Sequence, residues 1–283
     1  MSNLYGDVGM FQRRFLDGQA LDSDDRLLAL QIIGAASRSV DGLARRKFYA
    51  ESTTRLLRGN GARTLELAFD LASVTSLKFD EDDDRVYELT LVEGTDFELA
   101  GEDDENDDRP PYRLVRLLNA GQRQAFPVGR RTIQLIGREG YSNNVEAVLT
   151  SAGAAVTGTL ADTTDTTLAT SAAAYPEIAP GMTLRIESED VYVLPGAIAS
   201  PFVVKRGVNG TTAAAHTAAA ISSYVYEDDV VGAVLVQTGR LWKRKDSPML
   251  STLLNAPMFG DMQLSAGLDP DVQMQIARLK RFL

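Results

Sequence analysis

Residues 151–225 differ sharply in composition from the rest of the chain, and this difference constrains the fold most. The segment carries three basic and six acidic side chains, whereas 24% of the whole chain is charged. Apolar residues recur in near alternation at Leu184, Ile186, Val191 and Val193, which is typical of strands with one buried face. A flexible linker has little use for such residues. We therefore predict a folded β-rich module inserted into the chain.

The module is predicted to contain strands at 182–187, 190–194 and 201–206. Turn signals separate them at Pro180-Gly181, Pro195-Gly196 and Asn209-Gly210, because Gly and Asn accept the backbone conformations that tight turns need. The single histidine, His216, falls in the Ala- and Thr-rich end of the module. We interpret it as an ordinary loop or strand-edge histidine.

Three helices are predicted outside the module, at about 24–47, 228–245 and 269–281. Asp24 and Asp25 precede the apolar periodicity of the first helix, and Asp228 and Asp229 open the second. Acidic residues suit the positive end of the helix dipole. Asp269 has the position of an N-cap before a proline in the first turn of the last helix.

Basic residues follow both long helices. They suit the negative end of the helix dipole, and a patch that faces a neighbouring subunit is the alternative interpretation. The candidate capping or subunit-interface residues are Arg45, Arg46, Lys47, Lys243, Arg244 and Lys245.

Between the first helix and the module the pattern indicates an antiparallel sheet. Strands are predicted at 64–69, 73–79, 86–92, 112–117 and 132–136. Fifteen acidic residues and one basic residue, Arg85, lie between Asp80 and Asp108, and they concentrate in two loops, 80–84 and 102–108. We interpret both loops as solvated turns. A calcium-binding loop is the alternative, but neither loop has the glycine and glutamate spacing of an EF-hand calcium site.

The fold class predicted from these patterns is α+β, with a helical core and a small antiparallel sheet interrupted by the inserted β-rich module. The predicted domains are a first part at 1–150, the module at 151–225 and a second part at 226–283. No run of eighteen apolar residues and no signal peptide is present, so we expect a soluble protein made in a cytoplasm.

The residue inventory favours a protein without catalytic activity. The chain has no cysteine and one histidine, which removes thiolate nucleophiles and polyhistidine metal sites. Neither a phosphate-binding loop nor a dinucleotide-binding glycine motif occurs. The formal net charge of -10 argues against nucleic acid as the main partner, because binding to phosphates needs clustered Lys and Arg. We expect no catalytic residues, no cofactor and no metal.

Four segments resemble, in order, the head-to-tail connector (adaptor) family of long-tailed bacteriophages and gene transfer particles. The first is Ala36-Ser37-Arg38-Ser39-Val40-Asp41, followed by Arg45-Arg46-Lys47-Phe48-Tyr49. The second is Ser73-Val74-Thr75-Ser76-Leu77-Lys78-Phe79-Asp80. The third is Leu241-Trp242-Lys243-Arg244-Lys245-Asp246-Ser247-Pro248, and the fourth is Gly267-Leu268-Asp269-Pro270-Asp271-Val272. The module, with Arg206-Gly207-Val208-Asn209-Gly210-Thr211, resembles small β modules of phage structural proteins.

The resemblance implies a virion structural protein at the head-to-tail joint. Members of the family form a ring, usually a dodecamer, between the portal and the tail, where it extends the DNA channel and provides the surface for tail attachment. The implied partners are other copies of the chain, the portal protein and a tail completion or stopper protein. The module could also contact the capsid, DNA would pass without sequence-specific binding, and no membrane is involved.

In this family the C-terminal segment reaches toward the portal. The implied portal-docking residues are Asp269, Ile276, Arg278, Leu279, Lys280, Arg281 and Phe282. The alternative for this segment is a helix packed on its own domain. Alternative functions are a receptor- or carbohydrate-binding tail protein that uses the β module, and a hydrolase that uses a pair of carboxylates.

Overall fold

The computed structural model describes residues 3–101, 109–171, 177–196, 198–245 and 268–281. Within these residues the chain forms four α-helices and thirteen strands in two sheets. It divides into two compact units. The first comprises residues 1–45, 144–208 and 212–283, and the second comprises residues 46–143 and 209–211.

The second unit is built on a six-stranded antiparallel sheet. The strand order is β1-β6-β2-β5-β4, and β3 pairs with β2. The strands are β1 (Glu51–Gly59), β2 (Thr64–Phe79), β3 (Leu89–Leu91), β4 (Phe97–Ala100), β5 (Tyr112–Leu117) and β6 (Gly129–Glu139).

Strand β2 organises this sheet because it is long enough to pair with three others. Its first part pairs with β5 and its second part with β6 and β3. Register shifts after Leu71 and Val74 mark bulges, which bend a strand and increase its twist. The apolar core of this unit includes Phe79, Phe97 and Phe126.

In the first unit, four helices pack around one another and come from both ends of the chain. They are α1 (Val8–Phe15), α2 (Ser23–Ala44), α3 (Asp228–Lys243) and α4 (Pro270–Ala277). Helix α3 contacts each of the other three. Asp7, Asp22 and Asp269 cap α1, α2 and α4 by accepting backbone N–H bonds, as short acidic side chains do at helix starts.

The first unit also contains a closed antiparallel β-barrel. Its strands follow the order β10-β11-β12-β9-β8-β13, β10 also pairs with β13 to close the circuit, and β7 extends the sheet beyond β13. The strands are β7 (Val145–Ala147), β8 (Thr157–Leu160), β9 (Thr167–Thr170), β10 (Thr183–Ile186), β11 (Glu189–Val193), β12 (Phe202–Lys205) and β13 (His216–Tyr224).

The interior of the barrel is small and apolar. Leu160, Leu168, Val193 and Phe202 are fully buried in its core. A Cβ atom at Gly158 would lie 2.8 Å from side-chain methyl groups of Leu168 and Ile221. Glycine at this position therefore lets the opposite wall approach.

The predicted fold class is wrong in the proportion of helix to strand. The described chain is mostly β, with thirteen strands and four helices, and it has no helical core that carries a small sheet. Three helices and the strands at 182–187, 190–194 and 201–206 lie close to their predicted positions. The prediction missed α1, β1, β4, β7, β8, β9 and β13, because these elements are short or lack clear alternation.

The predicted domain boundaries at 150 and 225 remain predictions. The barrel strands and the helices belong to the same compact unit, while residues 46–143 form the other. Helix α2 is the one described helix that is long and apolar enough to cross a membrane. Ala29, Leu30, Ile33 and Val40 on α2 are buried, and core helices of globular proteins share this composition.

Candidate functional site

The most elaborate polar site in the described chain is a buried charge cluster at one end of the barrel. The guanidinium of Arg206 donates to both carboxylate oxygens of Glu189, from Nε and Nη2, at 2.7 Å each. Its remaining N–H groups donate to the backbone carbonyls of Asp162, Asp165 and Ala214. The Glu189 side chain is fully buried and that of Arg206 is 7% exposed. This is the fork geometry in which arginine pairs most strongly with a carboxylate.

The carboxylate of Glu189 also organises the chain after β12. It accepts backbone N–H bonds from Gly207 and Ala214 at 3.0 Å. Burial alone would raise the pKa of Glu189, but the bonds from Arg206, Ala214, His216 and Gly207 outweigh it and lower the pKa to about 2. Glu189 is thus a carboxylate held ionised by its donors.

His216 completes the cluster and corrects the sequence-based interpretation. Its ring nitrogens lie 2.7 Å from a carboxylate oxygen of Glu187 and 2.9 Å from one of Glu189. The residue is 2% exposed, so it is buried at the start of β13 and not an ordinary loop or edge histidine. The cluster therefore explains the Arg206-Gly207 motif. Its hydrogen bonds to the backbone hold the connection from β12 to β13 in place.

A second polar cluster lies on neighbouring barrel strands. The buried carboxylate of Asp190 accepts from Arg185 at 3.1 Å and from the hydroxyl of Tyr224 at 2.8 Å. Arg185 also lies over the Tyr224 ring, 5.1 Å from its centroid. Because β10 pairs with both β11 and β13, these contacts tie together the three strands at the closure of the barrel.

A pocket of about 320 Å³ lies beside the barrel within the first unit. Tyr5, Asp7, Met10, Met182 and Tyr226 contribute to its wall. Burial raises the pKa of Asp7, although the N–H of Met10 opposes this by donating to the carboxylate. The Asp7 carboxylate is already used as the cap of α1, so the pocket offers aromatic and thioether surface more than reactive groups.

The first acidic loop is a structured turn. Carboxylate oxygens of Asp80, Asp82 and Glu88 lie within 4.8 Å of one another, close enough to share a cation. However, Asp80 accepts the backbone N–H groups of Asp83 and Arg85, which is the local bonding that Asp provides in turns. The turn accounts for the arrangement without an ion. The second acidic loop, 102–108, lies outside the described residues.

The predicted portal-docking residues lie on and after α4. Ile276 is fully buried, Arg281 is 9% exposed, and the backbone N–H of Arg281 donates to the carbonyl of Ala44. The helix thus packs on its own unit, which was the alternative interpretation. Arg278 is the exposed member and pairs with Asp229 on α3.

The other docking candidates are less exposed. Asp269 caps α4 and lies 3.5 Å from Arg240. Leu279 and Lys280 are half-buried, and Phe282 lies outside the described residues. Docking at the portal remains a prediction for all seven residues.

The basic residues after the long helices have different environments. Arg45 ends α2 in a left-handed conformation and is exposed. The side chain of Arg46 is 8% exposed, lies 3.3 Å from Asp70 and stacks on Tyr141. Lys47 forms an ion pair with Glu51. Arg46 and Lys47 are therefore engaged within the second unit, and their proposed role at a subunit interface remains a prediction.

The basic residues after α3 are partly capping groups. Arg244 is the C-cap residue, and Lys243 is exposed. The amino group of Lys245 lies 2.9 Å from Asp25 and 4.1 Å from the centroid of the Trp242 ring. Lys245 thus joins the end of α3 to the start of α2.

Comparison with known proteins gives no relative. No protein-family model matches the chain, and neither a curated protein nor a solved structure matches it.

Sequence reasoning missed the charge cluster because its members are distant along the chain. Glu189 precedes Arg206 by 17 residues and His216 by 27. The available signal was the presence of Arg206 and His216 in a segment with only three basic residues. A charged residue in an otherwise apolar module is usually paired.

Proposed function

We propose that the chain is a virion structural protein that forms a ring between the portal and the tail of a long-tailed phage or gene transfer particle. In that role it extends the DNA channel and offers the surface to which the tail attaches. Its partners are other copies of itself, the portal protein and a tail completion or stopper protein.

One observation carries the proposal. The described residues of three of the four segments that resemble connector proteins lie on or beside α2, α3 and α4, and these helices pack together. They come from both sides of the barrel in sequence. The remaining segment, at the end of β2, runs into the Asp80 turn.

The polar clusters support a structural role. Arg206, Glu189 and His216 bond to one another and to backbone groups that they hold in place. Hydrogen bonds also join the side chains of Asp190, Arg185 and Tyr224 where the barrel closes. Both arrangements stabilise the barrel, as an assembly protein requires.

The test is to mix the purified chain with portal rings of the same particle and image the complex by negative-stain electron microscopy. The proposal expects a second ring, coaxial with the portal, and particles without attached tails when the chain is deleted. A chain that stays a free monomer and is absent from purified virions would exclude it. Binding of the intact chain to a glycan array would instead favour the receptor-binding alternative.

A further inference from the structure

Three exposed arginines lie at one point of the ladder between β1 and β6. The register shifts between Leu57 and Gly59, where β6 has three residues opposite a single residue of β1. The single residue is Arg58, and two of the three are Arg130 and Arg131. Such a bulge redirects side chains out of the regular ladder. We call these three arginines the arginine bulge.

The backbone of the arginine bulge is held in place, while its charges are unpaired. Arg131 has a φ of 62°, which a residue with a side chain rarely adopts. Its carbonyl accepts from the hydroxyl of Tyr87 at 3.0 Å, and the carbonyl of Arg130 accepts from Arg85 at 2.8 Å. Within the described chain, none of the three side chains of the bulge forms an ion pair, and in the neighbouring acidic turn Asp83 is paired with Arg85.

The pocket of the first unit carries the opposite charge, and we call it the acidic pocket. Asp7, Glu146 and Asp228 contribute carboxylates to its wall, and none of its described wall residues is basic. The helix dipoles favour acidic residues at Asp7, which caps α1, and at Asp228, in the first turn of α3. Glu146 lies on β7, so no helix explains it. It is exposed and forms no ion pair with another described residue.

The tyrosines of the acidic pocket indicate which kind of cation it fits. Arg38 lies 5.3 Å from the centroid of the Tyr5 ring, and Arg185 lies 5.1 Å from that of Tyr224. The ring of Tyr226 meets that of Tyr5 edge to face at 4.7 Å, and no described cation lies over it. A guanidinium can stack on an aromatic ring and pair with carboxylates. The pocket therefore has the groups that bind one more arginine side chain.

We propose that the arginine bulge of one copy binds in the acidic pocket of the next copy. One arginine enters the pocket beside Tyr226, and the other two meet the exposed Glu146 and Asp228. This inference rests on the proposed ring, because it joins two different surfaces of the same chain. Contacts of that kind generate rings or filaments, whereas a two-fold contact joins identical surfaces.

The surrounding charges favour another copy over nucleic acid as the partner of the bulge. The acidic turn lies beside it, since Arg85 of that turn bonds to the carbonyl of Arg130. Asp82 and Asp84 of the turn are exposed, and they would repel phosphates. Binding to DNA needs a basic surface without such neighbours. The three positive charges of the bulge and the three carboxylates of the pocket, in contrast, neutralise one another.

The first test gives each of two variants one defective surface. The bulge variant carries Arg58→Glu and Arg130→Glu, and the pocket variant carries Glu146→Gln and Asp228→Asn. In analytical ultracentrifugation, each variant alone should self-associate at least about tenfold more weakly than the unchanged chain, because it loses close charge pairs. An equimolar mixture should form a 1:1 complex and no larger species, since it contains one intact bulge and one intact pocket.

Arg45→Glu combined with Lys205→Glu is the control for the change in net charge, because both residues are exposed and lie outside the two surfaces. This control should associate as the unchanged chain does. A mixture that behaves as the sum of its two components would overturn the proposal, as would binding to duplex DNA that the bulge variant loses. If both variants form rings on the portal as readily as the unchanged chain, the ring stands and this contact is wrong.

The second test detects a short-lived contact and uses the absence of cysteine from the chain. The double variant Arg130→Cys and Glu146→Cys has one thiol on each surface. Mild oxidation should link copies in series into trimers and larger species, because a disulfide forms where two Cα atoms approach within about 7 Å. Arg130→Cys with Met274→Cys, on the 71% exposed Met274 of α4, is the matched control and should give few of them. Equal yields from the two double variants would contradict the contact.

Discussion

Arg206 shows how one buried side chain can determine a local structure. Its guanidinium bonds to Glu189 and to three backbone carbonyls, and Glu189 in turn holds two backbone N–H groups. Removing either partner leaves the other as an uncompensated charge inside the barrel, which costs more than the pair contributes. The two residues should therefore act as one unit.

We expect Arg206→Met to lower the free energy of unfolding by about 3–5 kcal/mol, measured by urea denaturation. Lys205→Met is the matched control, because it removes the same charge from an exposed neighbour and should cost less than about 0.5 kcal/mol. The double variant with Glu189→Leu should recover part of the loss. Equal effects of Arg206→Met and Lys205→Met would show that the cluster does not stabilise the fold.

Glu189 also predicts how stability depends on pH. Its pKa falls from 4.5 to about 2 in the folded protein, so the folded state binds fewer protons than the unfolded state between these values. The stability that Glu189 contributes is present above about pH 4.5 and is lost as the pH falls toward 2. Urea midpoints measured from pH 6 to pH 2 should therefore fall less steeply for Glu189→Gln than for the unchanged chain. Parallel pH profiles would contradict this assignment.

At the scale of elements, the sequence predicts the long helices better than the strands. Residues 24–47 and 228–245 begin with acidic residues and have a sustained apolar period, and α2 and α3 form there. Strand β1 was missed because Thr53, Thr54 and Arg55 give no alternation, and its pairing with β6 depends on residues about eighty positions later. Short strands acquire their structure from such partners, which local patterns do not show.

The packing of α1 on α3 can be tested by substituting two glycines of α3, one at the contact and one away from it. A Cβ atom at Gly239 would lie 2.6 Å from the ring of Phe15, whereas one at Gly232 would meet atoms only at 3.8 Å or beyond. Gly239→Ala should lower the free energy of unfolding by about 1–3 kcal/mol through overpacking. Gly232→Ala should raise it by up to about 1 kcal/mol, because alanine favours the helix. Thermal denaturation of both variants measures whether each change lowers or raises the free energy of unfolding.

At the scale of the whole molecule, the structure changes which experiment can test portal docking. Val272 and Ile276 of α4 are fully buried, so deleting residues 269–283 would expose the surface that α4 covers and would confuse binding with folding. The exposed basic residue of the segment is a better target. Arg278 is 72% exposed at its side chain, and exposed ion pairs contribute about 0–1 kcal/mol to stability.

We therefore expect the charge reversal Arg278→Glu to weaken association with portal rings by about tenfold, because charges at an interface rim govern encounter and orientation. Co-sedimentation with purified portal measures the effect, and urea denaturation should show a nearly unchanged free energy of unfolding. Lys205→Glu on the barrel is the control for the change in net charge and should bind normally. If Arg278→Glu sediments with the portal as well as the unchanged chain does, the C-terminal segment is not the portal-binding surface, and the barrel or the second unit becomes the next candidate.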